Sequence, residues 1–213
     1  MSFRPLNSAG FGVLVAALGA LTACAPRAVA PPPVFGPPPS GAECQAQLEQ
    51  RGVPFQIVSE QAAIGGCAVI NAVRVETLAA PFDKPAIMTC ALALRLDEFE
   101  TDIVQAEARR YFHRRVVEVY QYGAYSCRDI KGTHRLSEHA HGDAIDIAGF
   151  ELEGGRKIMV KTDWHGDGAP ARFLHAIARG ACRMFHVVLT PDANADHSDH
   201  IHVDLGPYKL CRA

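Results

Sequence analysis

The sequence predicts an α+β fold, a small antiparallel sheet flanked by helices and stabilised by disulfides. Three observations point there. Strand-like and helix-like segments follow one another without regular alternation, the pattern of an antiparallel sheet with helices set beside it. One long segment repeats apolar residues on a single helical face, Leu92, Leu96, Phe99 and Ile103, with Arg95, Asp97, Glu98 and Glu100 around it. Beyond a first cysteine near the N-terminus, six others form an even set: Cys44, Cys67, Cys90, Cys127, Cys182 and Cys211.

Taken in chain order, Glu43 to Arg51 reads as a short helix, and Ala68 to Leu78 as strand or loop of alternating character. The long helical segment runs from Ala86 to about Phe112. Arg114 to Tyr122 is rich in β-branched and aromatic residues and stops at Gly123, so it predicts a strand. Ala144 to Phe150 and Lys157 to Trp164 flank Glu153-Gly154-Gly155-Arg156, which predicts a hairpin. Pro170 to Arg179 reads as a helix stopped by Gly180. Met184 to Thr190 and His200 to Leu205 predict two more strands, separated by a polar loop rich in Asp and Asn.

The N-terminal end has a different character. Arg4 precedes an uncharged run, Phe11 to Ala20, and then Leu21-Thr22-Ala23-Cys24. The run is too short for a membrane span, and small residues before a Cys resemble the bacterial lipoprotein processing box. The expectation is a signal peptide over 1–23, lipidation of Cys24 and attachment to a membrane through that N-terminal lipid anchor. Ala25 after that Cys resembles outer-membrane-directed lipoproteins, which implies a periplasmic, outer-membrane location in the cell envelope. Residues 24–41 are rich in Pro and Ala, including Pro31-Pro32-Pro33 and Pro37-Pro38-Pro39, and predict an extended spacer. The remaining 42–213 is long enough for one domain with its own core. A slightly acidic balance without a basic block excludes nucleic acid as the obvious partner, and nothing implies an obligate protein partner.

An exported chain suits disulfides. Sequence alone allows fifteen pairings of six cysteines, and proximity favours Cys44 with Cys67, Cys90 with Cys127 and Cys182 with Cys211. Disulfide formation is the expected fate of Cys127, rather than nucleophilic catalysis.

Histidine clustering carries the chemistry. Six of the ten histidines fall in two short stretches, His134, His139 and His141 in one, His197, His200 and His202 in the other. His139 and Asp146 stand seven residues apart, with Gly142 between them to turn the chain from loop to strand. Imidazole and carboxylate are suitable zinc ligands, and Asp146 interrupts an apolar strand where a carboxylate needs a partner or a metal. His200 and His202 are two apart on a predicted strand and share a face, continued by Asp204. One of them can complete a three-ligand set with a fourth position open. The predicted sheet would thus carry a zinc site.

The stretch Ser137 to Asp146 fits SxHxxGxAxD and resembles the D-Ala-D-Ala carboxypeptidase and dipeptidase family, in the superfamily of lysostaphin-type endopeptidases and sonic hedgehog. Over Cys44 to Arg212 the chain looks more closely like the bacterial extensin-like C-terminal family. That likeness rests on Tyr125-Ser126-Cys127-Arg128, LSEHAHGDAIDIAGF from Leu136 to Phe150, GACRMF from Gly180 to Phe185, and DHIHVDL from Asp199 to Leu205. The resemblance implies zinc held by His139, Asp146 and His202, with Asp199 as general base where many relatives carry Glu. It implies that His200 sits beside the metal and that Arg128 steadies the substrate carbonyl. Asp199 must then lie in the turn before the last strand, because on a regular strand it would face away from His202; otherwise His200 is the better base.

These residue types suit zinc-assisted hydrolysis of peptidoglycan stem peptides or cross-links, by a carboxypeptidase or an endopeptidase. The competing expectation is a non-catalytic, zinc-containing cell-wall-binding or structural lipoprotein.

Overall fold

The computed structural model describes residues 1, 2, 40–59 and 65–213. All but the first two residues of the leader, Cys24 and nearly all of the spacer lie outside the described residues. Among the described residues no helix is long and apolar enough to cross a membrane.

Ser40 opens α1 (Gly41–Gln50) through a capping box, its Oγ accepting from the Glu43 N–H while the Glu43 carboxylate accepts from the Ser40 N–H. Three strands follow, β1 (Phe55–Ile57), β2 (Ala72–Thr77) and β3 (Pro81–Thr89), paired antiparallel in sequence order. The helical segment expected from Ala86 therefore begins four residues late. Val73 pairs with Met88 and Ala72 with Thr89, so β3 claims these residues for the sheet, and Thr89 caps α2 (Cys90–Phe99) by accepting from the Leu92 N–H at 3.1 Å.

The rod continues through a π-helical turn at Glu100–Val104 into α3 (Gln105–Phe112). Leu92, Leu96 and Phe99 are buried along it, as the periodicity predicts. Glu100 is buried as well; burial pushes its carboxyl up to about 8, and it accepts from the Ala80 N–H at 3.0 Å.

The remaining strands are β4 (Val116–Gly123), β5 (Ala144–Leu152), β6 (Arg156–Met159), β7 (Val187–Leu189), β8 (Ile201–Asp204) and β9 (Leu210–Arg212). The sheet order is β1-β2-β3-β4-β5-β8-β7-β9, with β6 paired to β5. It is larger than expected and mixed, since β3 joins β4, and β7 joins β9, in parallel. The expected hairpin forms as β5–β6, but its second arm ends at Met159 and continues as the short α4 (Val160–Asp163).

The helix α5 (Ala169–Ala181) packs Phe173, Leu174 and Ile177 into the core, where Phe173 meets Phe150 and Phe112 edge to face. Each such side chain contributes about 1.5–3 kcal/mol by leaving water. Gly180 lets α5 approach the π-helical turn, because a Cβ there would lie 2.4 Å from Ile103 Cγ2. Trp164 is core, 1% exposed.

Three disulfides form, and two differ from the pairing suggested by proximity. Cys44 bonds to Cys90 and Cys67 to Cys127; Cys182 bonds to Cys211 as expected. The reason is packing: α1 lies against the start of α2, which carries Cys90 to within 6.1 Å of Cys44 between Cα atoms.

Candidate metal centre

Strand β5 is central, flanked by β4 and β8, and nearly every residue in it is buried. Asp146 interrupts this run and pairs directly across the ladder with His202 on β8. A carboxylate and an imidazole in opposite register must meet. The third group arrives on a 3₁₀ turn, Glu138–His141, opened by Ser137 and closed by Gly142 at φ 67°. A side chain at that glycine would be strained by φ and would collide with Val69, its Cβ 2.7 Å from Val69 Cγ1. Gly142 thus turns the chain as expected, returning it from His139 into β5.

The result is a compact cluster of His139, Asp146 and His202, all buried. His139 Nε2 lies 3.2 Å from Asp146 Oδ1 and 3.2 Å from His202 Nδ1, and His202 Nδ1 lies 3.0 Å from Asp146 Oδ1. Tetrahedral ligands at the usual zinc distance of about 2.0–2.1 Å stand about 3.3–3.4 Å apart, so the triangle has the size of one face of a zinc coordination shell.

The outer partners decide which atoms face inward. The Ala124 carbonyl can only accept, so His139 Nδ1 donates to it at 2.7 Å and Nε2 faces the cluster. His202 Nε2 lies 3.0 Å from Asp204 Oδ2, and the Gly206 N–H holds the other Asp204 oxygen at 2.9 Å. Donation to Asp204 leaves His202 Nδ1 facing Asp146. Two ring nitrogens and a carboxylate oxygen thus converge on one point, where a proton or a metal cation can be shared between them.

A proton can take the same place. Burial alone would raise Asp146, but hydrogen bonds and charge from His139 and His202 hold its carboxyl far below the usual range. Burial alone would lower His202, but Asp146 and Asp204 lift it to about 9, so a proton competes with a metal for this position. Replacing Asp204 with Asn is expected to weaken zinc affinity about 10–100-fold with the fold intact, measurable by competition with a chromogenic chelator.

Around the cluster the structure sorts the other site residues predicted from sequence. Asp199 lies in the turn before β8, as a role as general base requires, but it contacts His200 rather than the cluster, so that expectation shifts to His200. Asp199 Oδ1 is 2.9 Å from His200 Nδ1, and its Oδ2 accepts from the Tyr122 hydroxyl at 3.5 Å. His200 Nε2 comes within 3.4 Å of Asp146 Oδ1, so His200 stands between Asp199 and the cluster. Arg128 is exposed, with Nη2 3.9 Å from Asp146 Oδ2. His134 and His165 do not join the site. His197 does line it, its ring 5.1 Å from that of His200, and burial together with the neighbouring imidazoles lowers it to about 4.

Sequence reasoning missed three contributors: the Ala124 carbonyl, Tyr122 edge-on to His200 at 5.8 Å, and the orienting role of Asp204. Only the last left a signal, the i, i+2, i+4 spacing of His200, His202 and Asp204.

The cluster lines a cleft of about 480 Å³ together with Arg128, Lys131 and Arg135 and the carboxylates Glu138, Asp196 and Asp204. Fold and site together define a disulfide-stabilised α+β protein with a buried His/Asp/His cluster opening into a cleft lined by both cationic and acidic side chains. Residues 42–212 match the family described as Extensin-like protein C-terminus, and the chain belongs to that family. No curated protein and no solved structure matches it.

Proposed function

We infer that the protein is a zinc-dependent peptidase acting on peptidoglycan stem peptides or cross-links in the cell envelope. One observation carries this reading: second partners on both histidines direct their other ring nitrogens toward Asp146 in an open cleft that Arg128 and Arg135 also line. His139, Asp146 and His202 would hold the ion. Bound there, zinc would lower the pKa of a water toward ~7 and polarise the scissile carbonyl.

The chain's own groups supply the rest. Asp199 accepts from His200 Nδ1 and so leaves His200 Nε2 as a base directed at the cluster, able to take a proton from water and return it to the leaving amine. Asp199 is then the positioning carboxylate of that base. Arg128 stands beside Asp146 where negative charge would develop on the carbonyl oxygen. The envelope assignment is supported by the three disulfides, which suit an oxidising compartment, and by the lipoprotein-like leader ending at Cys24.

The test is incubation of zinc-loaded protein with intact peptidoglycan and defined muropeptides, products read by mass spectrometry. Metal-dependent release of D-Ala or opening of cross-linked dimers is expected. His200→Gln should retain zinc and lose about 10²–10⁴ in kcat. Stoichiometric zinc without turnover on any muropeptide would favour the non-catalytic wall-binding lipoprotein instead.

A further inference from the structure

We propose that Arg135, laid over Tyr208, is a binding residue for a carboxylate that the peptide substrate carries away from its scissile bond. This rests on the peptidase reading and adds which chemical group the cleft selects.

Between β4 and the 3₁₀ turn the chain folds back on itself as a small ribbon. The Ser137 N–H donates to the Arg128 carbonyl at 3.0 Å, the Ile130 N–H donates to the Arg135 carbonyl at 2.8 Å, and Asp129 bridges Leu136. Side chains alternate across such a ribbon, so Arg128, Ile130, Arg135 and Ser137 share one face. All four line the cleft. The Arg128–Ser137 end lies beside Asp146. The Ile130–Arg135 end is two residues further out, about 6–7 Å, which is also the reach of two residues of extended peptide.

The two guanidinium groups differ in their partners. Arg128 faces Asp146, and Lys131 is paired with Asp196 across the cleft mouth. Arg135 makes a different contact: its Cζ stands 4.7 Å from the Tyr208 ring centroid. Among the described residues no carboxylate, Glu138 included, comes within ion-pair distance of it. The ring holds the guanidinium in place, and with no carboxylate beside it the N–H groups remain available for the bidentate geometry that a carboxylate fits. The cleft therefore presents two poles, the His/Asp/His cluster at its base and a pre-oriented cation about two peptide residues away.

The probe is diacetyl-L-lysyl-D-alanyl-D-alanine, whose carboxylate stands two residues beyond the lysyl–D-alanyl bond, against its C-terminal amide, which lacks only that charge. Affinities are measured by calorimetry on metal-free protein, where no bond is cut, with hydrolysis of the same peptides followed in parallel on zinc-loaded protein. The acid is expected to bind about tenfold more tightly than the amide. Arg135→Gln should erase that difference by weakening the acid alone, and Arg135→Lys should restore part of it. Equal weakening of both peptides by Arg135→Gln, or no preference for the acid in the unaltered protein, overturns the proposal. An acid preference that depends on Arg135 without hydrolysis sinks the peptidase reading and leaves the subsite standing; hydrolysis without that preference does the reverse.

Discussion

His139→Ala is expected to abolish stoichiometric zinc binding and to reduce hydrolysis by about 10³-fold or more, because it removes one of three converging ligands and leaves Asp146 and His202 facing a hole. The loss should also appear in stability. A ligand that binds only the folded state stabilises by RT ln(1 + [L]/Kd), about 2.7 kcal/mol at one hundred times Kd. Zinc should therefore raise the Tm of the unaltered protein and leave that of His139→Ala unmoved. Asp146→Asn keeps the shape and removes the charge, and it should behave the same way toward zinc. The readout separates a metal site from a buried ion-pair network, which would weaken on mutation whether or not zinc is present. Full zinc occupancy in His139→Ala, or a Tm indifferent to zinc in the unaltered protein, would rule out the assigned ligand set.

The second large effect concerns Cys67–Cys127, which closes a loop of 60 residues. Converting both to Ala should cost about 4 kcal/mol by loop-closure entropy and lower Tm by roughly 10 °C. Cys127 precedes Arg128 directly, so the bond also anchors the ribbon that brings Arg128 and Arg135 into the cleft. Activity should fall with zinc stoichiometry retained, since no ligand is touched. Non-reducing peptide mapping checks the pairing itself: a Cys90–Cys127 peptide would contradict the structure, and a Tm change under about 2 °C would show that the bond contributes little.

The candidate site was legible where the information is local. His139, Asp146 and Gly142 sit within one turn and the start of a strand, and period-2 alternation alone places His200, His202 and Asp204 on one face. Composition and periodicity likewise marked the α2–α3 rod, the α5 helix and the β5–β6 hairpin. The first residues of the rod were misread because Ile87, Met88 and Thr89 fit a helical continuation equally well; pairing with Ala72 and Val73 decides for strand. The roles of Ala124 and Tyr122 had no signature, since a backbone carbonyl carries none and an exposed tyrosine is common.

By itself, then, the sequence determined which groups can bind a metal, which of them share a strand face, and that an even set of cysteines follows Cys24. Tertiary structure alone decided which cysteines meet, which histidine nitrogens turn inward, and that Arg135 rests on Tyr208. The cysteines show the physical reason. Cys44 and Cys67 are 67 − 44 = 23 apart, whereas Cys44 and Cys90 are 46 apart. Doubling a loop adds only about 0.6 kcal/mol of closure entropy, less than burying one leucine contributes, so the packing of α1 on α2 overrides proximity along the chain.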